Sequence, residues 1–145
     1  DNFDLETSHV LPALIRKIHE AKINACSKVD IWGTGAPLRE FVHVDDLADA
    51  VMYIFENINA EDLQNLKIPH INIGSGDEIS IKELAILIKN IVGFRGRLNF
   101  EKDKPDGMPR KLLDSTIINN LGWEKNIQLR DGIISVYDWY LNQGS

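Results

Sequence analysis

The chain has 145 residues, 43% of them hydrophobic and 26% charged, which is typical of one ordinary globular domain with its own core. The net charge of -6 argues against a broad nucleic-acid surface, which needs clustered Lys and Arg, yet it permits a local site for one anionic small molecule. Cys26 is the only cysteine, which excludes an internal disulfide and a Cys-based metal site and fits a reducing compartment.

The beginning of the chain does not resemble a targeting signal. The first residues are acidic and polar, unlike a secretory or transit peptide. No apolar run approaches the ~20 residues that a membrane span requires. No initiator Met is present, so we expect the chain to be a piece of something longer.

Hydrophobic periodicity and turn residues predict alternating helices and strands, and therefore an α/β or α+β class. Thr7 or Ser8 is placed to cap the first helix, Asp45 and Asp46 suit the positive end of the second, and Ser80 begins a capping box in a third. In chain order the predicted elements are a helix over 7–22, strands over 28–32 and 38–44, a helix over 45–58, a polar connection over 59–69, a buried strand over 70–74, a helix over 80–92, a strand over 96–101, a short helix ending near 121 and a helix over 128–143.

Two glycine pairs invite comparison with a dinucleotide-binding loop, which needs a strand, then G-x-G-x-x-G, then a helix. Gly33 and Gly35 follow a strand, but position 38 is Leu and a second strand comes next. Gly74 and Gly76 precede a helix, but the third glycine is again missing. We interpret both pairs as tight turns rather than cofactor loops.

Other catalytic patterns are also missing from the sequence. The four histidines lack zinc spacing, no G-x-S-x-G occurs, and no tyrosine is followed four residues later by lysine. The chain therefore predicts no metal site and no self-sufficient active site.

The turn that follows the first strand is a better candidate for anion recognition. The guanidinium of Arg39 could contact a diphosphate through two hydrogen bonds, and Trp32 could stack on a base or cover a sugar. The alternative, about equally supported by composition, is that Trp32 lies in the core and Arg39 pairs with Glu40 or Asp45.

A second basic loop surrounds Pro-Asp-Gly and contains Lys104, Arg110 and Lys111. The pattern alone favours a solvated surface loop in which Asp106 is a turn residue. His9, at a predicted helix start, is by default a neighbour of the helix cap.

Several stretches together resemble the C-terminal half of the GDP-L-fucose synthase family, NADPH-dependent epimerase-reductases of the extended short-chain dehydrogenase/reductase group. The likeness covers essentially the whole chain, and its most specific runs are "SHVLPAL", "WGTGAPLREF" and "KPDGMPRK". The run "REFVHVDDLADA" is less specific, since many nucleotide-sugar epimerases and dehydratases have a similar one.

The resemblance implies a fold and an organisation. Residues 1–145 would form the C-terminal substrate-binding portion of an α/β enzyme, without the Rossmann half that carries the NADP loop, the Tyr-x-x-x-Lys pair and the catalytic Ser and Cys. Residues 40–58 and 70–76 would pack on that Rossmann domain. The intact enzyme would be a cytoplasmic homodimer that makes GDP-L-fucose from GDP-4-keto-6-deoxy-D-mannose, and the chain alone would be inactive.

The resemblance also assigns site residues. His9 matches the family histidine that protonates the sugar during epimerisation and also contacts NADP. Lys17, Trp32 and Arg39 match substrate-binding positions, with Arg39 at the diphosphate. Asp106 matches a further substrate-binding position, at a sugar or ribose hydroxyl or a guanine donor.

Two positions depart from the family pattern. Met108 stands where a small polar residue is usual, which puts the fit of the loop around Asp106 in question. Ala36 is a milder variation in the turn.

Two other hypotheses remain open at this point. The chain could be a stand-alone module that binds a nucleotide-diphosphate sugar, or a piece of another nucleotide-sugar epimerase or dehydratase. Neither reading involves nucleic acid or a membrane.

Overall fold

The structure, a computed structural model, describes residues 2–5, 7–59, 61–63 and 70–143. Its helices and strands are α1 Val10–Ile23, β1 Lys28–Trp32, β2 Leu38–Glu40, α2 Val44–Asn57, β3 Glu78–Ser80, α3 Ile81–Val92, β4 Arg97–Glu101, β5 Arg110–Lys111, α4 Thr116–Asn120 and α5 Leu129–Gln143. This mixture confirms the predicted α/β class.

The chain folds as two compact units. The first contains Asp1–Arg39, Ile79–Arg110 and Ile133–Ser145, and the second contains Glu40–Glu78 and Lys111–Gly132. The strands form two sheets: β1 pairs with β4, and β2 is the middle strand between β3 and β5. None of the helices in the described ranges is long and apolar enough to cross a bilayer.

The first unit is organised by the parallel pairing of β1 with β4. Lys28 lies opposite Arg97 and Trp32 lies opposite Glu101, and the amide of Gly33 donates to the carbonyl of Glu101 at 3.0 Å. α1 contacts both β1 and α3, as expected because parallel strands are normally covered by helices. The buried side chains of this core include Leu14, Ile15, Ile18, Val29, Ile31, Leu84 and Ile88.

The start of α1 differs from the prediction. The N-cap is His9, whose side chain makes no capping hydrogen bond, rather than Thr7 or Ser8. Thr7 is used locally instead, because its amide and its hydroxyl both donate to Asp4 Oδ1 at 2.9 Å. The prediction for α3 is confirmed: Ser80 and Glu83 form the reciprocal capping box.

The second unit forms around the inner face of α2. Ala50 is fully buried with Ile118 and Trp123, and Asp49 Oδ2 accepts from the Trp123 indole at 2.8 Å. Partly buried side chains that pack on this cluster are Tyr53, Ile54, Ile71 and Ile73.

Asp46 lies in the first turn of α2 as predicted, and it has a second role that was not predicted. It does lie in the first turn of α2 beside Asp45, but its residue is only 2% exposed. Its two carboxylate oxygens accept from the amides of Asn126 at 3.1 Å and Ile127 at 3.0 Å. The carboxylate therefore satisfies two loop amides that would otherwise lack a partner, in addition to any interaction with the helix dipole.

Two predicted strands are shorter or missing. The strand predicted over 38–44 ends at Glu40, because His43 becomes the N-cap of α2 and its Nδ1 accepts from the amide of Asp45 at 3.3 Å. Residues 70–74 are irregular rather than a strand, and none of the described strands pairs with them. A strand needs a neighbouring strand to pair its backbone groups, and residues 70–74 have no such neighbour among the described strands. The connection predicted over 59–69 falls largely outside the described residues.

The outer face of α2 is apolar and exposed. Phe55 is 79% exposed and Val44 is 67% exposed. The exposed stripe, called here the α2 outer face, consists of Val44, Leu47, Val51, Met52 and Phe55. Its spacing is that of one side of a helix, so the apolar surface is continuous rather than scattered.

We predict that this chain, expressed by itself, self-associates through the α2 outer face, because association removes that apolar area from water. Light scattering should give a mass above that of a monomer, and Phe55→Ser should reduce it. Ile23→Ser is the matched control, since Ile23 is 68% exposed but lies on α1. A monodisperse wild-type monomer would contradict the prediction.

Candidate functional site

Two chain segments leave the same edge of the β1–β4 pair, because the carboxyl ends of parallel strands lie together. Residues 32–39 are called here the Trp32 turn, and residues 102–109 are called the Asp106 loop. The amide of Leu38 donates to the carbonyl of Pro109 at 2.9 Å, so the far ends of the two segments are also joined. Both segments belong to the first unit.

Trp32 lies on the surface and not in the core. The residue is 66% exposed, so the core interpretation of this tryptophan is wrong. The ammonium of Lys104 lies 5.7 Å from the ring centroid, within the range of a cation–π contact. An exposed indole beside a cation suits a ligand that has both a ring or sugar face and a negative charge.

Arg39 is held against the backbone of the Asp106 loop. Its Nη1 donates to the carbonyl of Leu38 at 2.6 Å and to the carbonyl of Met108 at 2.8 Å. A Cβ at Gly107 would lie 3.0 Å from Arg39 Nη2, so glycine leaves room for the guanidinium. Since Met108 contributes its carbonyl here, the unusual side chain at that position leaves this contact intact.

The alternative partner of Arg39, Glu40, is engaged by backbone amides. Its carboxylate accepts from Gly76 at 2.7 Å and from Leu113 at 3.1 Å. Two charge-assisted hydrogen bonds give this glutamate a structural task in the second unit.

Asp106 is more than a turn residue. The amide of Thr34 donates to its Oδ1 at 2.8 Å, and the hydroxyl of Thr34 donates to its Oδ2 at 2.7 Å. A Cβ at Gly33, where φ is +80°, would lie 2.2 Å from Asp106 Oδ1. The glycine therefore serves both the left-handed turn and the close approach of the carboxylate.

The pKa of Asp106 is lowered, chiefly by the hydroxyl hydrogen bond from Thr34 and then by the Thr34 amide, with a smaller contribution from the amide of Gly35. These donors favour the ionised carboxylate. The stabilisation is therefore present above the ordinary pKa of an aspartate and is lost as the pH falls through the lowered pKa of the folded state.

His9 and Lys17 lie on α1, outside the Trp32 turn and the Asp106 loop. His9 is exposed at the N-cap, and Lys17 is partly buried. The pKa of Asp30 on β1 is lowered, mainly by hydrogen bonds from Asn99 at 2.6 Å and Lys28 at 2.9 Å, and Lys17 adds a small electrostatic contribution. The structure thus brings Trp32, Arg39 and Asp106 to one pair of segments and leaves the other two predicted residues on the helix.

Two residues of this arrangement were not predicted as site residues. The sequence pattern favours a solvated loop for Lys104 and indicates no role for Thr34. The Thr34 hydroxyl accepts locally from the amide of Ala36, but the carboxylate to which it donates lies 72 residues away. The sequence offers no signal for that pairing.

The glycine turns do not match a dinucleotide-binding loop. Gly33 and Gly35, with φ of +80° and +76°, lead into β2, and Gly76, with φ of +75°, is followed by β3. The phosphates of NADP usually bind where a glycine turn leads directly into the N-terminus of a helix, and neither of these turns does so. Within the described ranges, no three His, Cys, Asp or Glu side chains are grouped to hold a metal ion.

We predict that Thr34→Val raises the pKa of Asp106 part of the way toward the ordinary 3.8, because the hydroxyl donor is lost and the amide donors remain. Carboxyl carbon NMR titration measures this directly. Thr116→Val is the matched control: Thr116 donates to Asp114 in the same way and lowers its pKa, so that variant should change Asp114 and leave Asp106 as it is. An unchanged Asp106 titration in Thr34→Val would contradict the assignment.

Comparison with known proteins agrees with this architecture. GDP-L-fucose synthase 1 of Arabidopsis thaliana is 53% identical over 141 residues, which is 97% of this chain and 42% of that protein. The crystal structure of a GDP-6-OMe-4-keto-L-xylo-heptose reductase from C. jejuni superposes with a TM-score of 0.88 at 41% identity, over 98% of this chain and 50% of that one. A GDP-L-fucose synthetase from Naegleria fowleri bound to NADP gives a TM-score of 0.87 at 28% identity, over 99% and 43%.

The chain therefore spans about two fifths to one half of the length of these proteins. Residues 1–74, just over half of the chain, match the NAD dependent epimerase/dehydratase family. The alternating α/β fold, the structural neighbours and this match agree, and the chain belongs to the NAD dependent epimerase/dehydratase family.

Proposed function

We propose that this chain supplies the GDP-sugar-binding part of a GDP-L-fucose synthase, an enzyme that epimerises GDP-4-keto-6-deoxy-D-mannose at C3 and C5 and reduces it at C4. The proposal is carried by one observation: the Trp32 turn and the Asp106 loop contact each other through Lys104 beside the Trp32 ring and through Arg39 at the Met108 carbonyl. The proposal is also supported by relatives, because proteins named GDP-L-fucose synthase align with nearly the whole chain.

The geometry fits a nucleotide diphosphate with its sugar. Arg39 carries five N–H donors in a planar fork, and the two carbonyl contacts described above involve only Nη1. Nε and Nη2 are thus the donors that we assign to a diphosphate oxygen pair. The Lys104 ammonium beside the Trp32 face adds a second positive charge next to a flat apolar surface.

The chemistry on the sugar requires an acid in addition to a binding surface. Epimerisation next to a keto group removes a proton from carbon on one face and returns one on the other. We assign the returning acid to His9, which is exposed at the N-cap of α1. We assign Lys17 to substrate binding, and we assign one remaining acceptor site of Asp106 to a hydroxyl or amino group of the substrate.

The proposal requires residues that this sequence does not contain. NADPH would supply the hydride for C4, and we propose that a Rossmann domain elsewhere in the intact protein holds it, with His9 as the contact from this chain. Residues 40–58 and 70–76 would pack on that domain, which would cover the α2 outer face and give residues 70–74 a strand to pair with. We propose that the intact enzyme is a cytoplasmic homodimer and that the 145-residue chain alone has no reductase activity.

We predict that the intact natural protein containing this sequence binds GDP with a micromolar Kd, about -8 kcal/mol. Arg39→Ala should weaken binding by at least about tenfold, the value of one hydrogen bond to a charged group. Arg39→Lys keeps the charge but loses the planar guanidinium fork, so its affinity for GDP should lie between those of the wild type and Arg39→Ala. Calorimetry with GDP and UDP measures this, and a preference for UDP would contradict the fucose-synthase assignment in favour of a uridine-sugar enzyme.

We predict that His9→Asn in the intact protein lowers kcat for epimerisation by about 10² to 10⁴, the usual contribution of a positioned acid. GDP affinity should stay the same, because the diphosphate contacts assigned above do not involve His9. His19→Asn, within α1, is the control: His19 Nδ1 lies 2.9 Å from the hydroxyl of Tyr137 and has no role assigned in the site, so kcat should not change. Solvent deuterium incorporation into the sugar separates epimerisation from reduction, and undiminished incorporation in His9→Asn would reject the acid role.

A further inference from the structure

The Trp32 turn and the Asp106 loop meet at a side-chain contact, and one of its two partners, Thr34, has no role assigned above. Thr34 lies between Trp32 and Arg39 in the sequence, and its amide and hydroxyl donate to the two carboxylate oxygens of Asp106. Asp106 itself lies two residues after Lys104 and two before Met108, which are the two residues of the loop that contact Trp32 and Arg39.

The Thr34 hydroxyl uses its donor and its acceptor at the same time. It donates to Asp106 Oδ2 at 2.7 Å and accepts from the amide of Ala36 at 3.1 Å. A serine can reproduce both bonds, whereas a valine of similar shape can reproduce neither. The pattern Gly-Thr-Gly therefore has a physical reason: glycine at position 33 admits the carboxylate, and the hydroxyl at position 34 holds it.

The contact between Thr34 and Asp106 is exposed. Thr34 and Asp106 are both exposed residues outside the hydrophobic core of the first unit. Its removal therefore leaves the core contacts in place. Lys104 and the Met108 carbonyl lie on the loop that this contact joins to the Trp32 turn.

We propose that Thr34 is a positioning residue for the GDP-sugar site: by holding Asp106 it fixes Lys104 over Trp32 and the Met108 carbonyl against Arg39, without contacting the ligand itself. This inference rests on the proposed function and assigns a specific role within that site to a residue that sequence and resemblance left out. It predicts that the hydroxyl at position 34 controls ligand affinity, and that the side chain beyond the hydroxyl does not matter.

The test uses the intact natural protein and GDP as the probe. Thr34→Val should weaken GDP binding by about tenfold, equivalent to one hydrogen bond to a charged group, and Thr34→Ser should restore it to within about twofold. With the keto-sugar, Thr34→Val should raise KM and leave kcat nearly unchanged, because the loop binds ground state and transition state alike. Thr116→Val is the matched control, since it removes a similar Thr–Asp contact in the second unit.

The possible results separate this inference from the proposed function. If wild-type protein binds GDP and Thr34→Val binds it equally well, the positioning role is rejected and the proposed function stands. If Thr116→Val weakens GDP binding as much as Thr34→Val, the effect is one of general stability and the positioning role is again rejected. If wild-type protein does not bind GDP, both proposals fail together.

Discussion

The parallel pairing of β1 with β4 is the constraint on which the candidate site depends. Trp32 lies opposite Glu101 at the carboxyl ends of the two strands, so the segments that follow them leave from one edge. Parallel strands need a long crossover, and here the chain between them forms β2, α2, β3 and α3 before it returns. Residues far apart in sequence are thereby brought to two neighbouring segments.

Carboxylates that accept backbone amides organise the loops of both units. Asp106 fixes the Trp32 turn through Thr34, Asp46 holds the amides of residues 126 and 127, and Glu40 holds those of Gly76 and Leu113. Each of these carboxylates accepts hydrogen bonds from backbone amides in place of water or a backbone carbonyl. The net charge of -6 therefore comes in part from carboxylates that hold loops in place.

Most helices and the strands β1 and β4 could be predicted from the sequence because their signals are local, whereas the parallel pairing of the two strands could not. The capping box at Ser80, the period of α2 and the alternation over β1 each depend on neighbours within a few residues. The predicted strand over 70–74 was wrong, because an apolar run forms a strand only where a partner ladder exists. The cap of α1 was also wrong, since Thr7 bonds Asp4 rather than the helix.

The α/β class, the turns at the glycines and the choice of Trp32, Arg39 and Asp106 as candidates could be read from residue type, spacing and resemblance, which are properties of the chain. Only the tertiary structure decided that Trp32 is exposed beside Lys104 and that Asp106 bonds Thr34. Burial and long-range hydrogen bonds depend on which segments the sheet brings together. The roles of His9, Lys17, Trp32, Arg39 and Asp106 in binding and catalysis stay predictions, since contacts within the chain do not test them.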